Sequence, residues 1–329
     1  YNCIMSFIIR HTPHWVKKTY WAHCLISFVR ERQYRRRYYN SDACVAGNDR
    51  QVIFRIDGRF NHGGLCDRLW GCLAVYNYCK RNGLRFRIDW RVPFKLETFF
   101  EPAQYDWCID RREVSFNPKE SRLLIISNNH NEKNQWRLLD RIGHVSQQQV
   151  HVYTPAHVDR DDFGLYFKEL FRPSPLLKKA IDEEKRKIGG DYVSVSFRFM
   201  QLLGDFKDMY GETLSPEEQR QLLQRSLATI KKVHEANPDV AKVLVTSDSI
   251  KLIEAASVFP WVHIIPGAPV HIGFTDEVSD IKHLKTFVDF MMIADAQKVY
   301  FAQAPGIYGS TFAHTASKIN KRPFEKIEM

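Results

Sequence analysis

From residue 51 onward, short β-branched runs alternate with stretches of helical periodicity. This alternation, repeated in two series, confines the chain to the α/β class built on parallel sheets. The first series reads as strand QVIFRI, a helix from about Leu65 to Arg81, and strands LRFRI, RLLIIS and VHVY. Leu65, Leu69, Cys72, Tyr76 and Cys79 recur at steps of three and four, which gives the helix one apolar stripe to lay on a sheet. The second series opens with strand YVSVSF and the loop RFMQLLGDFKDMYGETLS. A helix from about Pro216 to Ala236 follows, N-capped by Ser215, then strand KVLVT, helix IKLIEAASV, strand WVHII, a long helix through DIKHLKTFVDFMMIADA, strand KVYFA and a last helix after PGIYGS.

The prolines and charges of TPAHVDRDDFGLYFKELFRPSP mark a boundary region near residues 154–175. The expected organisation is a basic helical segment over residues 1–50, a first Rossmann-like unit over 51–160 and a second over 161–329. In open parallel sheets, ligands sit at the carboxyl ends of the strands, so the loops there are where candidate residues are sought.

The chain has 329 residues, 44% of them apolar, enough for two compact cores. Its formal charge of +10 favours a negatively charged ligand or surface. Much of that excess is local, in VRERQYRRRYY, and residues 14–38 read as a basic helix suited to peripheral contact with a membrane's inner face. The apolar run YWAHCLISFV is about half the roughly 20 residues a spanning helix needs. The chain opens on Tyr1 rather than Met, as a fragment would. Seven cysteines, all before residue 109 and without a CxxC pair, point to reduced thiols and a cytoplasmic compartment, with Cys66, Cys72 and Cys79 as buried small hydrophobes.

Three loops of the second series hold the informative polar residues: Arg198 after VSVSF, Asp248 with Ser249 after VLVTS, and Ser310 with Thr311 after VYFAQAPGIYG. A guanidinium for phosphate oxygens, a helix N-terminus rich in hydroxyls, and a carboxylate for a ribose or base together suit a nucleoside diphosphate. In the first series the loop FNHGG opens straight onto an Asp-Arg pair at a helix start. Gly63 and Gly64 would let backbone approach a sugar or diphosphate, Arg68 would add positive charge oriented by Asp67, and Asn61 and His62 are further polar candidates. The competing expectation is that Asp67 simply favours the helix N-terminus.

The stretch DGRFNHGGLCDRLWGCLAVYNYCKRNGLRFRIDW resembles the first strand, loop, helix and strand of the protein O-fucosyltransferases and their α1,6-fucosyltransferase relatives, whose loop reads GRFGN or GEGFN. VSVSFRFMQLLGD is similar to that family's His-x-Arg segment, VLVTSDSIKLIEA to its ATD segment, and VYFAQAPGIYGSTFAHTASKI to its closing SxFS helix. The likeness covers roughly residues 52–322, in order, and is of the bacterial polysaccharide type. It implies a GT-B glycosyltransferase, two Rossmann-like domains facing a cleft, that uses GDP-fucose, inverts the anomeric centre and needs no metal. Under it Arg198 would hold the β-phosphate, Asp248 the guanosine, and Ser310, Thr311 and Phe312 the diphosphate end. The family's histidine two residues before the arginine is Ser196 here.

An inverting transfer needs a base for the acceptor hydroxyl or a loose route assisted by the leaving phosphate. Asp205 and Asp57 are the candidate bases, with Asp208 third. The cysteine usage favours a glycan or lipid-linked oligosaccharide acceptor over a disulfide-rich protein domain. A transferase using another nucleotide sugar is the nearest alternative. A metal-dependent transferase would use the Asp159 and Asp161 of VDRDD, but these precede an amphipathic helix as N-terminal charge. An oxidoreductase lacks its GxGxxG turn. A non-enzymatic membrane or nucleic-acid binder would use the N-terminal arginines but leaves the three loops unexplained.

Overall fold

The computed structural model describes residues 19–39, 49–60, 62–206, 213–268, 280–304 and 309–329, without the side chains of Arg36 and Asp280. Asn61 and Asp208 therefore lie outside the described residues. The chain divides into two compact units. The first holds Tyr1–Val92 and Pro102–Leu170, the second Pro93–Glu101 and Phe171–Met329. The sequence pattern puts the change at 160/161, whereas helix Phe163–Leu170 packs on the first unit's long helix Leu65–Arg81. Asp159 accepts hydrogen bonds from Asn77 and Arg81 on that same helix, so the acidic cluster is tied to the fold by a guanidinium.

The first unit contains α1 (Tyr20–Tyr38), β1 (Gln51–Ile56), α2 (Leu65–Arg81), β2 (Arg85–Trp90), β4 (Ser121–Ile125), α3 (Glu132–Leu139), β5 (Gln149–Tyr153) and α4 (Phe163–Leu170). Its sheet is parallel throughout, in the order β2-β1-β5-β4. The β1 strand is buried at every position, and α2 is buried from Leu65 to Cys79 apart from Asp67. Close packing explains Gly71 in α2. A Cβ there would stand 1.9 Å from the carbonyl oxygen of Thr154, so only glycine lets the helix lie on the chain leaving β5.

The α1 helix is built into this unit. Its N-cap Thr19 accepts from Ala22 N at 3.3 Å. Glu31 accepts from Ile125 N at 2.9 Å and pairs with Arg141 at 2.7 Å. Tyr38 joins the aromatic and aliphatic core with Leu123, Ile125 and Tyr153.

The second unit contains β6 (Phe171–Pro173), α5 (Pro175–Ile188), β7 (Tyr192–Phe197), α6 (Pro216–Glu235), β8 (Lys242–Ser247), α7 (Ile250–Ala256), β9 (Val262–His263), α8 (Asp280–Asp295), β10 (Val299–Gln303), α9 (Phe312–Ile319) and β11 (Phe324–Glu328). Its sheet is also parallel, in the order β11-β10-β7-β8-β9. The strand β3 (Phe100–Pro102), from the segment that returns to this unit, pairs with β6. Phe99 stacks on Phe287 at 4.1 Å, and Phe94 and Phe100 pack on the same ring, which anchors that segment.

Candidate active site

Strand order fixes where a ligand can enter the second unit. The chain runs β7, β8, β9 outward in one direction and then returns to place β10 on the other side of β7. The point where the order reverses lies between β7 and β10, and the loops after these two strands part there. Arg198 leaves β7 at this edge and Ser310 to Phe312 follow β10, while Asp248 leaves the neighbouring β8 in register, Phe197 being paired with Ser247. Arg198 and Asp248 thus follow the carboxyl ends of two adjacent strands, and Ser310 to Phe312 open the helix that comes after β10.

Asp248 organises the β7 loop. Its two carboxylate oxygens accept from Phe199 N and Met200 N, each at 2.8 Å, and Arg198 Nη1 lies 3.1 Å from Oδ2. Met200 has φ 57°, a left-handed backbone costly for a side chain-bearing residue, and the Asp248 contact holds it there. Burial raises the Asp248 pKa above its ordinary value, opposed by Arg198 and the two amides. Both oxygens are thus engaged within the loop. Arg198 is only partly covered, with its side chain 21% exposed, and its guanidinium lies 5.1 Å from the Phe206 ring centroid.

The other candidates of this unit divide between structural bonds and the helix start. Ser196 is buried and shares a 2.7 Å hydroxyl hydrogen bond with Thr246, stitching β7 to β8. Ser249 caps α7 by accepting from Leu252 N and donates to Asp205 Oδ2 at 2.7 Å. That same Asp205 oxygen accepts from Lys251 N at 2.8 Å, while Oδ1 is buried with no hydrogen-bond partner among the described residues. Ser310 Oγ accepts from Phe312 N at 3.2 Å, Thr311 occupies the N-cap of α9 without a side-chain cap bond, and Phe312 packs on Phe290. The start of α9 therefore carries two hydroxyls and the helix's positive end.

In the first unit the reversal falls between β1 and β5. Asp57 leaves β1 there and accepts from Tyr153 OH at 2.9 Å, with Arg55 at 3.1 Å and Arg59 at 3.0 Å. Asp57 is thus held by two guanidinium groups and a phenol. The Gly-Gly turn closes on itself: Gly63 has φ 76°, its missing Cβ leaves room for Asp67, and Asp67 accepts from Gly64 N at 3.3 Å as the α2 cap. Arg68 is buried and donates to the carbonyls of Gly63 at 3.1 Å and Val92 at 2.8 Å. Burial lowers its pKa to about 10. The turn is thus a helix cap braced by an arginine, and Arg68 is held by backbone carbonyls rather than by Asp67. His62 is buried, stacks on Tyr153 at 5.7 Å, and is pushed down to about 4 by burial, then by Arg68.

Sequence reasoning missed a buried polar cluster beneath Asp57. Arg55 and Asp89 face each other in register and bond at 2.8 Å, Tyr38 OH lies 2.6 Å from His151 Nδ1, and Arg55 Nη1 donates to Tyr38 OH at 2.9 Å. The available signal was an arginine and an aspartate inside otherwise apolar strands.

The sequence matches no family model and no curated protein. Solved structures do match. Fucosyltransferase NodZ from Bradyrhizobium is similar at 15% identity over 82% of this chain and 93% of its own, with a TM-score of 0.52. NodZ α-1,6-fucosyltransferase soaked with GDP-fucose matches at 16% identity over 83% and 93%, TM-score 0.52. A mutant of Arabidopsis thaliana FUT1 in complex with GDP matches at 10% identity over 90% of this chain and 74% of its own, TM-score 0.54. The two parallel-sheet Rossmann-like units of this chain therefore have the α/β, GT-B-type fold of fucosyltransferases.

Proposed function

We propose that the chain is a glycosyltransferase that moves fucose from GDP-fucose to a glycan acceptor, with inversion and without a metal. The observation that carries this reading is Arg198, partly exposed and fixed by Asp248, at the β7/β10 reversal, with the hydroxyl-bearing start of α9 following β10 in the chain. The fold neighbours crystallised with GDP or GDP-fucose support the donor class.

In this reading Arg198 holds the β-phosphate, and the Ser310–Thr311–Phe312 turn holds the diphosphate with its hydroxyls and backbone N–H groups. An acceptor hydroxyl attacks the anomeric carbon on the face opposite the diphosphate, forming the new C–O bond as the bond to the β-phosphate oxygen breaks. Arg198 stabilises the charge that accumulates on the departing diphosphate, so its contribution grows toward the transition state. Asp248 acts through Arg198 as a positioning residue. Of the two candidate bases, Asp205 retains the oxygen without a hydrogen-bond partner among the described residues, and the acceptor proton goes to it. Asp57, engaged by Arg55, Arg59 and Tyr153, holds the first unit's loop. His62, Gly63, Gly64 and Arg68 shape that loop in this reading, and the acceptor is a glycan or lipid-linked oligosaccharide.

Thermal unfolding with GDP-, UDP-, ADP- and CMP-sugars tests the donor. A ligand at 100 times its Kd adds roughly 2.7 kcal/mol of stability, so GDP-fucose should give the largest shift. A larger shift with another nucleotide sugar would reassign the donor, and no shift with any would remove the transferase reading.

A further inference from the structure

The α1 helix is docked along one side and bare along the other. Ser27, Glu31 and Tyr38 are buried toward the first unit's sheet, and His23 Nδ1 lies 2.6 Å from Ser127 Oγ. Tyr39 OH accepts from Leu123 N at 2.7 Å just past the helix end. Among the described residues, few large hydrophobic side chains are strongly exposed, yet three stand together on α1. They are Trp21 at 75%, Leu25 at 57% and Phe28 at 55%. Their spacing of four and three residues places them on one stripe of the helix. The stripe continues at the same steps through Arg32 and Arg35, both exposed, with exposed Arg30 and Arg37 beside it. The helix's single acidic residue, Glu31, is buried against Arg141, so the outward side carries positive charge alone.

We infer that α1 is a lipid-docking helix, with Trp21, Leu25 and Phe28 entering the headgroup region of an anionic bilayer while the arginines contact lipid phosphates. An apolar stripe that runs into cations on a convex helix needs a surface offering hydrocarbon and negative charge in one plane, which an anionic bilayer does. The sorting along the helix, apolar in its first half and basic in its second, sets the orientation: the N-terminal turns enter deepest. Tryptophan at the stripe's start suits the interface, where its ring is half apolar and half wet. The anchors to β4 and Ser127 keep this side outward, so docking needs no unfolding of the unit.

The test is sedimentation of the full chain with vesicles of phosphatidylcholine alone and of phosphatidylcholine mixed with phosphatidylglycerol, at low and high salt. The chain should pellet with the anionic vesicles, far less with the neutral ones, and less at high salt. The triple variant Trp21→Ser, Leu25→Ser, Phe28→Ser should lower partitioning at least about tenfold, and Arg32→Gln with Arg35→Gln should lower it and flatten the salt dependence. Both variants should melt with the parent, which separates lost docking from lost folding. Absence of partitioning to anionic vesicles overturns the inference. So does partitioning that the triple variant leaves unchanged, or a concentration-dependent dimer that the triple variant abolishes in a chain that ignores lipid, since a second copy would then be the occupant.

Discussion

Arg198 and Asp248, fifty residues apart, meet at 3.1 Å where two neighbouring strands end, and the same carboxylate holds the two amides that follow Arg198. One buried acid thus fixes both the direction of the guanidinium and the backbone from which it springs. Replacing Arg198 by alanine should cost roughly 2.7–4 kcal/mol of transition-state stabilisation, or about 10²–10³ in turnover, and should also lower the melting temperature, because the buried Asp248 carboxylate loses its cation. Lysine should fall between, keeping the charge but not the planar fork. Steady-state kinetics with GDP-fucose decide: more than about a tenth of parental turnover in Arg198→Ala means a barrier change under roughly 1.4 kcal/mol and removes the phosphate role.

Asp248→Asn should lower kcat rather than raise KM for the donor, because the asparagine amide nitrogen cannot accept from the Met200 or Phe199 N–H. The loss should be non-additive with Arg198→Ala, since the acid acts through the arginine. A double-mutant cycle reads this directly. A rise in donor KM with kcat preserved, or a change in preference among nucleotide bases, would instead give Asp248 the guanosine contact.

Asp205→Asn separates capping from proton transfer. The asparagine oxygen still accepts from Ser249 and Lys251, so the start of α7 and the melting temperature should hold. Transfer should fall about 10²–10⁴-fold if the carboxylate takes the acceptor proton. Unchanged transfer would leave catalysis to leaving-group stabilisation alone.

Gly71→Ala should be among the most damaging single changes, because the added carbon meets backbone, 1.9 Å from Thr154 O and 3.3 Å from Pro155 Cα. Overpacking of this kind costs typically 1–3 kcal/mol, and the unyielding backbone places this case at roughly 3 or above. Urea unfolding measures it. Deletion of residues 1–40 should likewise unfold the first unit rather than release an intact enzyme, since it removes Tyr38 and Glu31 from their buried partners.

His62 gives the fold an acid sensitivity with a defined window. Its folded pKa of about 4 lies below the ordinary 6.5, so the unfolded chain binds the proton more tightly. Stability from this group is present above pH 6.5 and is lost as pH falls toward 4, by about 3 kcal/mol at most. His151, fully buried and also pushed down by burial and by Arg55, adds in the same direction. Unfolding free energy measured between pH 7 and 4 should fall, and His62→Gln should shallow the slope.

The strands were the legible part of the fold, because buried parallel strands read as short apolar runs: QVIFRI and YVSVSF fall at β1 and β7 to the residue, and the helix over 65–81 is α2. Short or polar elements were not. The β9 strand keeps only Val262 and His263 of WVHII, and α5, with its charged DEEKRK stretch, and β11, largely exposed, were not singled out. In the site, Arg198 and Asp248 were legible as polar residues after strands, which is a matter of order along the chain. Their partnership was not, because it depends on β7 and β8 lying side by side. The bracing of the Gly-Gly turn was hidden for the same reason: Arg68 reaches the Val92 carbonyl, 24 residues away, and no local spacing announces that.

The return of Pro93–Glu101 to the second unit means that the backbone passes from one unit to the other three times, after Val92, after Glu101 and after Leu170. Neither unit is an uninterrupted stretch of sequence. A single protease cut at any one crossing leaves two covalent links intact, and no single genetic fusion point can exchange one half for that of a relative. The two units are therefore tied to one another along the chain, and a change confined to one of them has to come from substitutions within it rather than from its replacement as a block.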